Sequence, residues 1–244
     1  PGISDRILYQ LETLGLQWDR DVVYQSARTA LYQEGLERLT QSGDVYACSC
    51  SRNDLIQRIY PGTCRRRGLP LDGEGLALRI RLNQESVTVH DQIQGRFTQN
   101  LHQAVGDFVI FRKDGVHAYH LATVLDDADQ GITQIVRGAD LLESTPRQIY
   151  LHRLLGLAHP VYAHTPLLVD SSGRKLSKSD LPEETTHASA KAMILGLLEL
   201  LQLSPPPEVR ASTRDEILSW AIDHWVLERL KGPREIKVSD FRLS

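Results

Sequence analysis

The sequence predicts an α/β fold, a sheet flanked by helices and carrying a small, β-rich, cysteine-bearing insertion. Three observations predict it. Segments with apolar residues at helical spacing alternate with short alternating or continuous apolar runs along the 244 residues. Cys48, Cys50 and Cys64 fall together between the second helical segment and the next strand. With 41% hydrophobic and 24% charged residues the chain is neither fibrous nor disordered, and it is long enough for one large domain or a domain with an insertion.

Ser4 can cap a first helix whose apolar positions Ile7, Leu8, Leu11 and Leu14 keep helical spacing, with Gly15 placed for a left-handed end. A second helix opens at Ser26, carries Tyr32, Leu36 and Leu39 on one stripe and closes at Gly43. Residues 46–50 are too short for a helix and lead into the cysteines. Alternation over 76–82 puts Leu76, Leu78, Ile80 and Leu82 on one face and Arg79 and Arg81 on the other. That pattern predicts a half-buried strand, with 86–90 as its partner. Segments 108–112 and 116–119 flank Asp114-Gly115 and predict a hairpin. A short strand over 132–136 precedes a helix capped by Thr145, with Pro146 at its first position and Gln148 at its third, running to about Gly156. An extended apolar run over 161–169 ends in the exposed loop Asp170-Ser171-Ser172-Gly173. Beyond Thr185, two helical segments are separated by Ser204-Pro205-Pro206-Pro207, the second holding Trp220 and Trp225.

A net charge of −3 excludes a general positive field for coating nucleic acid, so any contact with RNA has to be local. Arg65-Arg66-Arg67 and the segment 174–178 are the basic clusters that could supply it. The apolar stretch 192–201 is interrupted by Gly196 and Glu199 and falls short of the ~20 residues a bilayer span requires, so no membrane role is expected. The opening residues carry no secretory leader pattern; a cytoplasmic, monomeric protein is expected.

Neither Gly-x-Gly-x-x-Gly, a Walker A sequence nor His-Glu-x-x-His occurs. Instead, Lys175-Leu176-Ser177-Lys178-Ser179 follows an apolar strand and a glycine-containing turn. Two lysines three apart in a loop can close over a triphosphate, because their ammonium groups offset the charge that builds on departing pyrophosphate. Together with 107–115, 118–122, 124–127 and 132–140, in order and spacing, this segment resembles the class I aminoacyl-tRNA synthetases of the glutamyl type. The resemblance covers roughly three quarters of the chain. It implies a Rossmann-like nucleotide-binding catalytic core, ATP accompanied by magnesium, and L-glutamate as substrate. Lys178 matches the ATP-contacting lysine, with Lys175 beside it in the catalytic signature. Tyr119 and Arg137 match amino-acid-binding positions. Chemistry agrees for Arg137, since a guanidinium offers a carboxylate two parallel donors that a lysine lacks. Asp126 and Asp127 are read as turn or pairing residues rather than metal ligands.

Cys48, Cys50, Tyr60 and Cys64 resemble the zinc site of the glutamyl-queuosine synthetases, in which three cysteines and a tyrosine surround the metal. Three thiolates and a phenolate would close a four-coordinate structural shell. Water or another side chain is the alternative fourth ligand, and three reduced cysteines without metal the alternative to the whole site. The resemblance divides the chain into a first part of the catalytic core (1–45), a zinc-bearing insertion (46–105), a second part of the core (106–165), and the lysine-signature loop with a helical C-terminal segment (166–244). Only 180–244 follow the lysine signature, which fits a synthetase without an anticodon-binding domain. The family's first signature belongs upstream of Pro1, and an α/β nucleotide-binding sheet ordinarily opens on a strand, so activity is expected of a longer chain. The implied reaction is ATP-dependent activation of glutamate and its transfer to the queuosine base of tRNA(Asp). The alternatives are a fragment of a conventional glutamyl-tRNA synthetase and a non-catalytic zinc- and tRNA-binding paralogue.

Overall fold

The computed structural model describes residues 2–51, 59–176 and 187–237. In chain order the elements are α1 (Ile3–Thr13), α2 (Thr29–Gln41), β1 (Val45–Cys48), β2 (Ala77–Ile80), β3 (Ser86–Asp91), β4 (Gly95–Asn100), α3 (Leu101–Ala104), β5 (Val109–Phe111) and α4 (Tyr119–Asp129). They continue with β6 (Gln134–Gly138), α5 (Thr145–Leu154), β7 (Val161–Thr165), β8 (Leu167–Val169), α6 (His187–Leu200), α7 (Pro207–Ala211), α8 (Arg214–Asp223) and β9 (Glu235–Lys237). The chain divides into two compact units, Val23–His164 and Pro1–Val22 with Thr165–Ser244.

The unit Val23–His164 is built on a three-stranded antiparallel sheet, β1-β2-β5, in which Val45 faces Ile80 and Cys48 faces Ala77. One continuous core joins Leu36 and Leu39 of α2, Leu78 and Ile80 of β2, Ile110 of β5, Leu121 and Leu125 of α4, and Ile149 and Leu151 of α5. Each such fully buried aliphatic side chain contributes roughly 1.5–3 kcal/mol. Helices α2 and α4 approach closely at Gly35, where a Cβ would come within 2.5 Å of the Leu125 side chain. The strand is shorter than the alternation over 76–82 suggests, and beyond its end Arg81 is exposed and Leu82 buried as that pattern predicts. All four residues of β2 are buried, Arg79 included, because tertiary partners cover its polar face.

Several local expectations shift. The partner of β3 is β4, with Ser86 opposite Asn100 and Asp91 opposite Gly95, rather than β2. The turn at Asp114-Gly115 does fold back, with Gly115 at φ +78 and a single bridge from Phe111 to His117. The return arm then becomes α4 at Tyr119, because Leu121, Ala122 and Leu125 carry a helical stripe into the core. Thr145 does not cap α5 but is its first residue, following a 3-10 turn over Ala139–Ser144, and its hydroxyl donates to the Leu141 carbonyl at 3.2 Å. The strand expected at 132–136 lies two residues later as β6, and 161–169 is split into β7 and β8, which pair in different sheets. Helix α1 begins after Gly2 rather than at Ser4, and α2 begins at Thr29, preceded by a 3-10 turn over Gln25–Ala27 that includes Ser26.

In the unit Pro1–Val22 with Thr165–Ser244, Ile194, Leu198, Leu203, Ile217 and Ala221 form a second core against which Leu14, Val209 and Trp220 pack. Gly15 ends α1 at φ +80, as its position suggests. Helix α8 is closed at its start by a reciprocal pair, the Thr213 N–H to Glu216 Oε2 at 2.8 Å and the Glu216 N–H to Thr213 Oγ1 at 3.4 Å. Trp220 lies in α8 and Trp225 beyond its end. β8 and β9 pair in parallel. No helix among the described residues is long and apolar enough to cross a membrane.

Candidate functional site

The sulfurs of Cys48, Cys50 and Cys64 lie within 4.8 Å of one another. Strand β1 delivers Cys48 at its end, fully buried, and the chain returns at Tyr60 by a bridge to Gly106. Gly106 sits at φ +70, and a Cβ there would stand 2.2 Å from the Tyr60 carbonyl oxygen, so only glycine permits the approach. Tyr60 Oη lies 3.3 Å from Cys48 Sγ and 4.0 Å from Cys50 Sγ, and accepts the Cys64 N–H at 2.9 Å. Cys50 and Cys64 sulfurs are 3.6 Å apart. Burial raises the Cys64 thiol, but hydrogen bonds from Tyr60, the Ser49 backbone and Cys50 outweigh it and bring the thiol down to about 6. Burial and bonding to Cys48 and Cys64 push the Tyr60 phenol up. Soft sulfur donors converging on one point, one of them poised as a thiolate, are compatible with a zinc ion. Among the described residues no other trio of Cys, His, Asp or Glu ligand atoms converges in this way.

A buried polar layer supports the cluster. Asp107 accepts from Arg65, from the Tyr46 hydroxyl and from the Leu82 N–H at 3.0 Å. Burial opposes its charge, but these donors, Arg65 foremost, hold its carboxyl below the usual range. Arg65 is thus a structural ion-pair partner rather than part of a solvated basic cluster, while Arg66 and Arg67 remain exposed.

Arg137, near the end of β6, lies in a second polar assembly. Its Nε donates to His164 Nε2 at 3.1 Å, and its Nη2 to Thr145 Oγ1 at 2.8 Å and Gln148 Oε1 at 2.6 Å. Its guanidinium carbon stands 5.4 Å from the ring centroid of Tyr162. Burial pushes the Tyr162 phenol up to about 12, with Arg137, Asp127 and Tyr119 all within its electrostatic reach. Arg137 therefore lies against the ring of Tyr162. Tyr119 opens α4 and is half exposed. His120 next to it is held down to about 3, by burial first and then by the charges of Arg147 and Arg137. Asp127 also lies within electrostatic reach of Arg137, whose guanidinium is the group in this assembly suited to a carboxylate ligand.

Lys175 lies past a closed turn in the other unit. Asp170 Oδ1 accepts from the Ser172 N–H at 2.9 Å and the Arg174 N–H at 3.0 Å, and Val169 bridges to Lys175 across the turn. Lys175 is exposed. Lys178 lies outside the described residues.

Asp126 belongs to α4 rather than to a turn. It accepts from Tyr32 Oη at 2.9 Å and Gln25 Nε2 at 2.8 Å, and Arg28 Nε lies 2.7 Å away as an ion pair. Asp127 is shifted upward, mainly by burial. Pairing thus accounts for Asp126. His164 and Asp91 stand in no sequence motif, and Thr145 and Gln148 are marked there only as helix-start residues. The available signal was a histidine inside the otherwise apolar 161–164, a polar side chain that has to find a partner once buried.

Residues 1–59 and 68–216 match the family described as tRNA synthetases class I (E and Q), catalytic domain. The chain belongs to this family, and membership implies the use of ATP. Within it, the chain is 44% identical over 248 residues to a protein named glutamyl-Q tRNA(Asp) synthetase from Chromobacterium violaceum, covering 98% of this chain and 82% of that relative. A protein of the same name from Pseudomonas aeruginosa is 45% identical, covering 100% of this chain and 82% of its own length. Among solved structures, a glutamate tRNA ligase from Elizabethkingia meningosepticum in complex with its amino acid superposes with a TM-score of 0.76 at 22% identity. The match takes in 98% of this chain and 57% of that one. That likeness shows the class I synthetase fold.

Proposed function

We propose that the protein activates L-glutamate with ATP and transfers the glutamyl group to the queuosine base of tRNA(Asp), the activity for which its relatives are named. The observation that carries this reading is the alignment with those relatives along nearly the whole chain at 44–45% identity. The setting of Arg137 supports the amino acid. Three of its hydrogen-bond acceptors, His164, Thr145 and Gln148, are neutral, so they orient the guanidinium without cancelling its charge.

In the first step an oxygen of the glutamate α-carboxylate attacks the α-phosphorus of ATP, and the bond to the bridging oxygen breaks to release pyrophosphate. In the second, the queuosine base attacks the acyl carbon and AMP departs. Arg137 and Tyr119 hold the side-chain carboxylate, which fixes the α-carboxylate for attack. Lys175 and Lys178 offset the charge gathering on the pyrophosphate, a task that magnesium bound with ATP would share. Zinc held by Cys48, Cys50 and Cys64, with Tyr60 as the fourth ligand, would cross-link the ends of the 48–64 segment and take no part in the chemistry.

The test is glutamylation of tRNA by the full-length protein with labelled glutamate. Label on queuosine-bearing tRNA(Asp), absent from the same tRNA without the modification, is the expected result. Label on tRNA(Glu) alone overturns the acceptor assignment. The absence of glutamate-dependent pyrophosphate exchange overturns the enzyme reading altogether.

A further inference from the structure

Behind Arg137 lies a dyad that no step above uses. The side chains of Asp91 and His164 are both wholly enclosed, and His164 Nδ1 stands 2.6 Å from Asp91 Oδ2. On the opposite edge of the imidazole, Nε2 faces Arg137 Nε at 3.1 Å and Thr145 Oγ1 at 3.1 Å. A guanidinium N–H only donates, so Nε2 has to accept. The ring proton therefore sits on Nδ1 and is donated to Asp91. The geometry selects one neutral tautomer and leaves its lone pair aimed at Arg137.

Asp91 is itself over-determined. At the end of β3 it accepts the N–H groups of Ile93 at 3.0 Å and Gln94 at 2.8 Å, which closes the turn into β4, and the His164 N–H at 3.0 Å. Burial opposes its ionisation, but the donors, the His164 ring foremost, outweigh it and hold the carboxyl below its ordinary value. Gln94 Nε2 also donates to the His164 carbonyl at 3.0 Å, and the Gln92 N–H to the Tyr162 carbonyl at 2.9 Å. The turn of one hairpin is thus pinned to β7 just where β7 presents His164.

We infer that Asp91 and His164 form a positioning dyad that sets the rotation of the Arg137 guanidinium and thereby the affinity and selectivity for the glutamate side-chain carboxylate. The inference rests on the reading of Arg137 as the glutamate-binding residue. His164 is a positioning residue, acting through Arg137. Gln148 and Thr145 hold Nη2 while His164 holds Nε, so the guanidinium plane is fixed by three acceptors from two elements, α5 and β7. Fixing that plane fixes the direction of the Nη1 donors, which a carboxylate can meet with either of two charged oxygens, whereas glutamine offers only one neutral oxygen acceptor.

Two substitutions separate positioning from mere core filling. In His164→Gln the amide can place its oxygen where Nε2 was, keeping the acceptor for Arg137 and giving up the donor to Asp91. In His164→Asn the amide can replace the Nδ1 donor to Asp91 and leaves Arg137 without its acceptor. A purely structural histidine makes the Asn variant the milder one; a positioning histidine makes the Gln variant milder. The full-length protein is assayed by glutamate-dependent pyrophosphate exchange with glutamate and ATP varied in turn, and glutamine as competitor. The expected result for His164→Asn is a KM for glutamate raised about tenfold or more, as loss of one bond to a charged group implies, with less discrimination against glutamine and an unchanged KM for ATP. His164→Gln is expected to stay within about threefold of the parent. The reverse order, or equal effects on both KM values, overturns the inference. Arg137→Lys is run alongside. If it leaves the KM for glutamate unchanged, the glutamate reading itself fails. If it raises that KM while both His164 variants match the parent, only the dyad's role fails. Should the Asn variant not fold, ring-15N spectra of the unsubstituted protein decide. A neutral His164 with its proton on Nδ1, whose Nε2 resonance moves on saturation with glutamate, upholds the inference, and an Nε2 indifferent to glutamate overturns it.

Discussion

Arg79 sits over the ring of Tyr60, its guanidinium carbon 3.8 Å from the ring centroid, and it is 6% exposed. Its Nη1 donates to the Asp107 carbonyl at 2.6 Å, its Nε has no partner, and among the described residues no carboxylate pairs with it. An enclosed cation without a carboxylate is costly unless other negative charge lies near. The cluster of thiols beside Tyr60 can supply that charge once it binds a divalent ion as three thiolates, a set with a net negative charge.

Arg79→Met should therefore weaken metal retention more than it weakens the fold. The expected outcome is zinc lost to a chelator at least tenfold faster, with the melting temperature of the metal-free protein little changed. Retention equal to the parent's would show that Arg79 does not balance the centre. The stacking by itself is worth up to about 2 kcal/mol when desolvated.

Removal of the metal, or Cys64→Ser, should loosen the sheet β1-β2-β5 at the end where Cys48 pairs with Ala77. Chelation is expected to lower the melting temperature and to open all three thiols to a thiol reagent. The hydrogen-bonded backbone around Lys175, in the other unit, should keep its amide-exchange protection.

Gly106→Ala should perturb the cluster without touching any ligand. The added methyl meets the Tyr60 carbonyl oxygen at 2.2 Å, at a φ of +70 that alanine adopts at a cost of roughly 1–2 kcal/mol before any clash is counted. A melting temperature lowered by several degrees with reduced zinc content is expected, and is checked by calorimetry and metal analysis.

His152 gives the fold an acid sensitivity of known sign. It is buried in α5 with neither ring nitrogen partnered, and burial, helped by the charge of His159, holds it down to about 4. Its folded value lies below the unfolded value of about 6.5, so the unfolded chain binds its proton first as pH falls. The stability it contributes is full above about 6.5 and is lost progressively down to about 4. Between pH 7 and pH 5 that loss amounts to about 2 kcal/mol. Urea unfolding of His152→Leu should show that much less decline over the interval than the parent shows.

Asp126→Asn should destabilise the protein, because the buried Tyr32 hydroxyl loses a charged acceptor, a bond worth roughly 1.5–3 kcal/mol, and Arg28 loses an ion-pair partner. Steady-state assay at a temperature where both proteins are folded should give an unchanged KM for ATP. A raised value would mean that the carboxylate serves the nucleotide after all.

The sequence by itself determined the features that are local in the chain. Helical spacing wrote α1 and α2, Gly15 and Gly43 ended them at positive φ, and Cys48, Cys50 and Cys64 came close because only short stretches of chain separate them. Motif order was likewise enough to indicate the family to which the chain belongs. Tertiary structure decided what depends on a partner distant in sequence. β3 pairs with β4, whose segment Gly95–Asn100 holds Phe97 as its one large apolar residue and carries no strand pattern of its own, and a strand's pattern fixes its faces but not its neighbour. Arg79 and Arg65 read as surface charge until Tyr60 and Asp107 closed over them. Arg137 was legible as a residue suited to a carboxylate, but its acceptors come from α5 and β7, and the Asp91 behind His164 lies 73 residues earlier. A buried polar group is satisfied by whatever the fold brings to it, and that juxtaposition is a property of packing rather than of any one segment.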